Sequence, residues 1–231
     1  MIKIENLKKK YGDKTVLDIK SLHIPQGQSF GLVGNNGAGK TTLFNLMLDL
    51  IKPTGGKVYI RDIDVQKSED WKPLTSAFID ESFLIGYLTP EEYFRFVGDL
   101  RGISKEEVEK FWQEYEDFFN DEIIGKKKYL RDLSKGNQKK VGLVAAFLGK
   151  PRVVILDEPF ANLDPTTQIK LKNLLKKLSK DSETTLLISS HDLGHITEVT
   201  DRIVVLDKGK IEKDIQTTPE TLKELEEFFS T

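Results

Sequence analysis

The chain has 231 residues, 38% of them hydrophobic and 31% charged, with a net charge of −2. That is enough for one good-sized α/β domain or two lobes on a shared core, and too apolar for disorder. It lacks the global basic field that nucleic-acid binding exploits, so no nucleic-acid partner is expected. The absence of cysteine excludes disulfides, thiolate metal sites and cysteine nucleophiles, and fits a reducing compartment.

Strand signals begin at once with "IKIENL". The lysine runs at 8–10 and 126–128 read as solvated surface. "MIKIENLKKKYG" has no apolar core of the kind a signal peptide carries. "QSFGLVG" is the next strand, followed by the small-residue loop "GNNGAGKTT" at 34–42 and the helical "TTLFNLMLDL". "KVYI" is a further strand. From about Ser82 to Leu133 strand signals fade, and acidic and aromatic residues mix at helical spacing, as in "EEVEKFWQEYEDFF". Thr89-Pro90 with Glu92, and Ser104 with Glu107, predict capped helix starts there. The aromatics read as the core of a helical lobe. "VGLVAAFLG" at 141–149 is the longest apolar stretch; it is far short of the ~20 residues of a membrane span and reads as a buried helix. "VVILD", "TTLLISS" and "RIVVLDKG" are continuous apolar strands suited to burial on both faces of a parallel sheet. Asp164-Pro165 starts another helix, and "ETLKELEEFF" after Thr218 and Pro219 reads as an amphipathic terminal one. The class is α/β.

Gly34, Gly39, Lys40 and Thr41 satisfy the pattern G-x-x-x-x-G-K-[ST] between a strand and a helix. Asn35, Asn36, Gly37 and Ala38 complete a loop whose backbone N–H groups can turn inward around a phosphate, with the next helix adding its positive end. Lys40 reaches the outer phosphates, and the Thr41 hydroxyl, followed by Thr42, can ligate Mg²⁺. Asp157 and Glu158 end the buried strand "VVIL" at the sheet's carboxyl edge, where α/β proteins bind ligands. Asp157 suits Mg²⁺, and Glu158 suits an attacking water as general base.

With these motifs in this order, the chain resembles the nucleotide-binding subunit of an ABC (ATP-binding cassette) transporter over nearly its whole length. "LSKGNQ" at 133–138 resembles the family signature and carries Ser134, Gly136 and Gln138. "ANLDP" resembles the D-loop, with Asp164 at its acidic position. "SSHDL" resembles the switch segment and points to His191, and Tyr11 resembles the aromatic that stacks on adenine. The resemblance implies a P-loop NTPase core with a mostly parallel sheet, an N-terminal antiparallel β subdomain and an inserted helical subdomain. Core segments 1–81 and 134–231 would flank a signature lobe at 82–133. It implies ATP and Mg²⁺, catalysis by Glu158, His191 and Lys40, and a head-to-tail homodimer or heterodimer in which each signature covers the other subunit's nucleotide. A separate integral-membrane permease would hold the chain at the inner face of the cell membrane, on the cytoplasmic side.

Two places depart from the family pattern. In the signature Lys135 replaces the first glycine and Asn137 precedes Gln138; at the Q-loop, where the family usually has glutamine, "SAFIDE" offers Glu81, with the neighbouring Asp80 as the alternative. A glutamate there is a competent Mg²⁺ ligand. Together with Lys139 and Lys140 these departures resemble the ATPases of ABC-2-type exporters. A soluble ABC ATPase without transport, such as a cofactor-assembly type, shares every catalytic motif and is the alternative. A monomeric P-loop kinase leaves "LSKGNQ", "ANLDP" and "SSHDL" without a role.

Overall fold

The computed structural model describes residues 1–180 and 183–230. In chain order come β1 (Ile2–Tyr11), β2 (Lys14–Ile24), β3 (Ser29–Val33), α1 (Lys40–Met47), β4 (Gly55–Ile60), β5 (Ile63–Asp64) and β6 (Thr75–Phe78). Then follow α2 (Pro90–Leu100), α3 (Lys105–Gln113), α4 (Glu116–Phe119), α5 (Lys135–Ala145), β7 (Val153–Leu156) and α6 (Pro165–Ser179). The chain closes with β8 (Thr185–Ser190), α7 (Leu193–Val199), β9 (Arg202–Asp207), β10 (Lys210–Gln216) and α8 (Thr221–Ser230).

Two sheets result. An antiparallel N-terminal sheet has the order β2-β1-β4-β5, and a larger sheet runs β10-β9-β3-β8-β7-β6. Within the larger sheet β9, β3, β8, β7 and β6 are parallel, and only β10 pairs antiparallel, at an edge. The strands expected from apolar runs form. β2, the two-residue β5, β6 and β10 lie outside those runs. β2 and β10 alternate buried or half-buried positions with charged ones and sit at sheet edges, so neither shows a continuous apolar signal. β6 is only four residues long.

Side chains alternate across the parallel strands and sort the interior into two cores. Phe30, Leu32, Val153, Ile155, Leu187, Val204 and Leu206 face the N-terminal sheet and α1. Val33, Val154, Leu156, Leu186, Ile188, Ile203 and Val205 face the other way, toward the helices. That second core includes Phe94, Trp112, Phe118 and Phe119 of the helical segment, with ring centroids 5.9 Å apart for Phe94–Trp112 and 6.1 Å for Phe94–Phe119. The lobe aromatics are thus packing residues, as expected. Thr89 with Glu92 and Ser104 with Glu107 form complete capping boxes, and Asp164 caps α6.

α5 joins lobe and sheet. It packs against α2 and α4, just past the expected lobe boundary at residue 133. Gly142 lies on the Phe78 ring of β6, where an added Cβ would come within 2.2 Å of a ring carbon. Gly142→Val is therefore expected to destabilise the protein by about 1–3 kcal/mol through overpacking. A chemical-denaturant titration reads this directly, and an unchanged midpoint would contradict the packing.

Candidate active site

Because β3, β8, β7 and β6 run parallel, their carboxyl ends open on one edge of the sheet, the place where such sheets bind ligands. The 34–42 loop follows β3, Asp157 and Glu158 follow β7, and His191 follows β8.

The loop is shaped by its glycines. A Cβ on Gly34 would stand 2.2 Å from the Leu206 carbonyl oxygen, so only glycine passes β9 this closely. Gly39 lies at φ 112°, a conformation that side chains rarely adopt. Gly39 is also the cap residue of α1, and it has no side chain to satisfy the helix's first N–H groups. By contrast α2, α3, α5, α6 and α7 all begin under side-chain caps. The open α1 terminus is an anion site by construction, with no acidic residue in its first turn. Asn35, Asn36, Gly37, Ala38, Gly39, Lys40, Thr41 and Thr42 line one recess with Val16 and Glu158.

Lys40 is 7% exposed, donates to the Gly34 carbonyl oxygen at 2.6 Å and lies 3.3 Å from Glu158 Oε1. Glu158 Oε2 meets His191 Nδ1 at 2.9 Å. The three expected catalytic groups are therefore brought together, with the Glu158 carboxylate between the lysine and the histidine. Thr41 Oγ1 donates to Asp157 Oδ2 at 2.5 Å, and Ser189 Oγ donates to Asp157 Oδ1. Burial pushes the Asp157 pKa above the usual carboxylate range; the hydrogen bonds from Ser189 and Thr41 oppose that, and the Glu158 charge adds to it. No cluster of three or more metal-ligating His, Asp or Glu side chains occurs among the described residues. One carboxylate and one hydroxyl at a phosphate loop are nevertheless the sparse hard-oxygen set with which Mg²⁺ is held beside nucleotides, its other positions going to phosphate and water.

Glu81 is the third residue that the sequence offers as a metal ligand. It opens a 3-10 turn, Glu81–Phe83, and its Oε1 lies 3.5 Å from Lys139 Nζ. Among the described residues no hydrogen bond or ion pair joins it to Thr41 or Asp157; its charged neighbour is Lys139. Tyr11 ends β1, exposed, with the Lys9 ammonium 4.7 Å from its ring centroid, and does not line the loop recess.

The signature residues form a second recess that shares no residue with the first; Ser134, Gly136, Asn137, Lys140, Asn162 and Asp164 line it. Ser134 Oγ caps α5 by accepting the Asn137 N–H at 3.2 Å, and Gln138 Nε2 donates back to the Leu133 carbonyl at 2.9 Å. Asp164 accepts from the Thr167 hydroxyl and N–H, and these bonds hold its pKa below the usual carboxylate range.

Ser189 was not legible as a site residue. It binds Asp157 and also accepts the Glu158 N–H at 2.9 Å. Ser189→Ala leaves both groups without that partner, at an expected cost of about 1–3 kcal/mol. Thermal melting of the nucleotide-free protein tests this, and a melting temperature equal to the parent's rules the bridge out as a stabilising contact.

Comparison with known proteins agrees with this arrangement. The profile of the family described as "ABC transporter" matches residues 17–161. The bacitracin transport ATP-binding protein BcrA of Enterococcus faecalis is 36% identical over 223 residues, covering 93% of this chain and 69% of that protein. The methionine import ATP-binding protein MetN of Francisella tularensis is 31% identical over 221 residues, covering 91% of this chain and 63% of its own length. The dimeric cassette MJ0796, in a post-hydrolysis state bound to ADP and Pi, superposes with a TM-score of 0.83 at 27% identity, covering 94% of this chain and 99% of that one.

Proposed function

This chain belongs to the ABC transporter family as an ATP-binding, ATP-hydrolysing subunit, and we propose that it powers export through a separate integral-membrane permease by ATP-driven closure of a cassette dimer. The observation that carries the reading is the Glu158 carboxylate set between Lys40 and His191 at the mouth of the phosphate loop.

In this reading the loop N–H groups and the open α1 terminus bind the ATP phosphates. Lys40 exchanges its contact with Glu158 for the outer phosphates. Thr41 and Asp157 hold Mg²⁺, which when bound supplies counter-charge to those phosphates. Glu158, released from Lys40, orients a water and takes up its proton at the carboxylate, while His191 steadies the same carboxylate and faces the terminal phosphate. Tyr11 stacks on the adenine. Ser134, Gly136 and Asp164 serve the nucleotide of the other subunit, since the recess they line lies apart from the chain's own phosphate loop, and Gln138 of the same signature serves it with them. Segments 1–81 and 134–231 act as the catalytic core and 82–133 as the signature lobe.

The ABC-2-type export reading rests on the S-K-G signature, Glu81 and the likeness to BcrA. No helix among the described residues is long and apolar enough to cross a membrane. Attachment at the inner face of the membrane then falls to the permease. The receiving surface is an apolar groove between the lobe and the core, lined by Leu48, Leu50, Trp71, Phe83, Leu84 and Tyr93. Phe83, 61% exposed, sits on it, and Tyr87, 69% exposed, lies four residues on. Its occupant is an amphipathic cytoplasmic segment of the permease.

Glu158→Gln is expected to bind ATP, lose about 10²–10⁴-fold in turnover and accumulate as an ATP-bound dimer. Steady-state hydrolysis with size-exclusion chromatography reads both effects, and near-normal turnover would remove Glu158 from the base role. Phe83→Asp with Tyr87→Asp is expected to abolish permease-stimulated hydrolysis in reconstituted membranes while sparing ATP binding. Stimulation that survives both changes would place the permease elsewhere.

A further inference from the structure

α5 carries a buried cation for which the hydrolysis chemistry has no use. Lys139 is 6% exposed. Its ammonium donates to the carbonyl oxygens of Glu158 at 3.0 Å and Ala161 at 2.9 Å. Its remaining direction faces Glu81 Oε1 at 3.5 Å, a buried oxygen with no hydrogen-bond partner of its own. Two carbonyls and one acid match the three hydrogens of an ammonium. A leucine or methionine would fill the space beside the Phe78 ring without the desolvation cost of a charge. The lysine therefore calls for a reason beyond stability.

The turn it grips is the one that presents Glu158. Glu158 lies at φ 47°, in the left-handed region that a residue other than glycine adopts at a cost. Its N–H is fixed by Ser189, and its carbonyl receives the Ala161 N–H at 3.2 Å in addition to Lys139. Gln168 Nε2 holds the Phe160 carbonyl between them at 3.2 Å. Gly136, one helical turn before Lys139, lets α5 lie this close, because a Cβ there would stand 3.2 Å from the Asn162 carbonyl oxygen. At the other end Glu81 begins the short turn that ends in exposed Phe83.

We propose that Lys139 is a positioning residue: it locks the Glu158–Ala161 turn so that the Glu158 carboxylate faces Lys40 and His191, and its pairing with Glu81 ties that carboxylate to the permease-facing turn. This rests on the reading of Glu158 as the base. A displacement of the 81–83 turn moves the counter-charge of Lys139, and with it the grip on the two carbonyls. Glu81 is then the lysine's partner.

The test compares the parent with Lys139→Met, with the double variant Glu81→Gln/Lys139→Met and with Glu158→Gln, in ATP turnover, ATP affinity and thermal melting. Lys139→Met is expected to lower kcat about ten- to a hundredfold with little change in ATP affinity, as for a base displaced by about an ångström. The double variant removes the orphaned buried acid, so its melting temperature is expected to recover while kcat stays low, because the carbonyls remain unheld. Recovery of kcat together with stability would reduce the pair to a structural ion pair and overturn the proposal, as would a Lys139→Met enzyme with the parent's kcat. If the single variant does not fold, the kcat of the double variant decides alone. Near-normal turnover in Glu158→Gln would fail the base assignment itself, and the proposal with it. A deficit in Glu158→Gln without one in the Lys139 variants fails only the positioning role.

Discussion

Asp157 follows a strand whose four residues, Val153 to Leu156, are all buried, and it is itself only 5% exposed. An ionised carboxyl in such a place costs several kcal/mol unless it is hydrogen-bonded. The fold answers with two hydroxyls from two other elements, Thr41 in the first turn of α1 and Ser189 near the end of β8. Both reach Asp157 only because β3, β8 and β7 are parallel neighbours whose carboxyl ends are level: Val33 pairs with Ser190, and Leu156 pairs with Ile188. The strand order, the glycine loop and the uncapped helix start are thus all constrained by one acid. Burial still pushes its pKa above the usual carboxylate range, and the Glu158 charge next to it adds to the push.

Much of this was legible in the sequence, and the reason is locality. The phosphate loop, the strand-ending acids and the helix caps depend on residues within a few positions of one another. The backbone conformations they require are written in glycines, prolines and capping pairs. Continuous apolar runs exposed the buried parallel strands for the same reason. The strands that escaped notice are β2 and β10, where "KTVLDIKSLHI" and "KIEKDIQ" place lysines and acids on a solvated face, and β5 and β6, which are too short to show a period. Ser189 and Lys139 escaped as site residues because their significance is purely tertiary. Ser189 lies 32 residues from Asp157 in sequence, and Lys139 lies 19 from Glu158 and 22 from Ala161. A serine in a strand and a lysine in a helix carry no local mark of the groups they meet.

Glu81 shows how a residue located by motif order can meet a partner that the order does not disclose. Its place after β6 was read from the motif order, and the structure indeed puts it at the sheet's carboxyl edge. What the motif order could not give was the charge three residues beyond Gly136, brought in by α5. A carboxylate facing a buried ammonium is already neutralised, and its attraction for a second cation falls accordingly. Substitution of an acid at one end of this contact and a lysine at the other makes a self-consistent pair within this chain, whatever either residue does elsewhere in the family.

Ser134 unites two readings that looked exclusive. As the cap of α5 it uses a lone pair of its oxygen to accept the Asn137 N–H. A hydroxyl also carries a hydrogen to donate, and capping leaves that hydrogen free. The same serine can therefore finish its own helix and present an O–H to an anion above it. Among the described residues that line this recess, the acids are Glu122, bound to the Asn137 amide, and Asp164, committed to Thr167. The phosphate loop has the complementary deficit: an open helix start with free N–H groups and no serine above it. In the proposed head-to-tail dimer each surface would meet what it lacks on the other cassette. A nucleotide bound at the α1 terminus would then also face the partner's Ser134 hydroxyl, and its cleavage would remove that bridge.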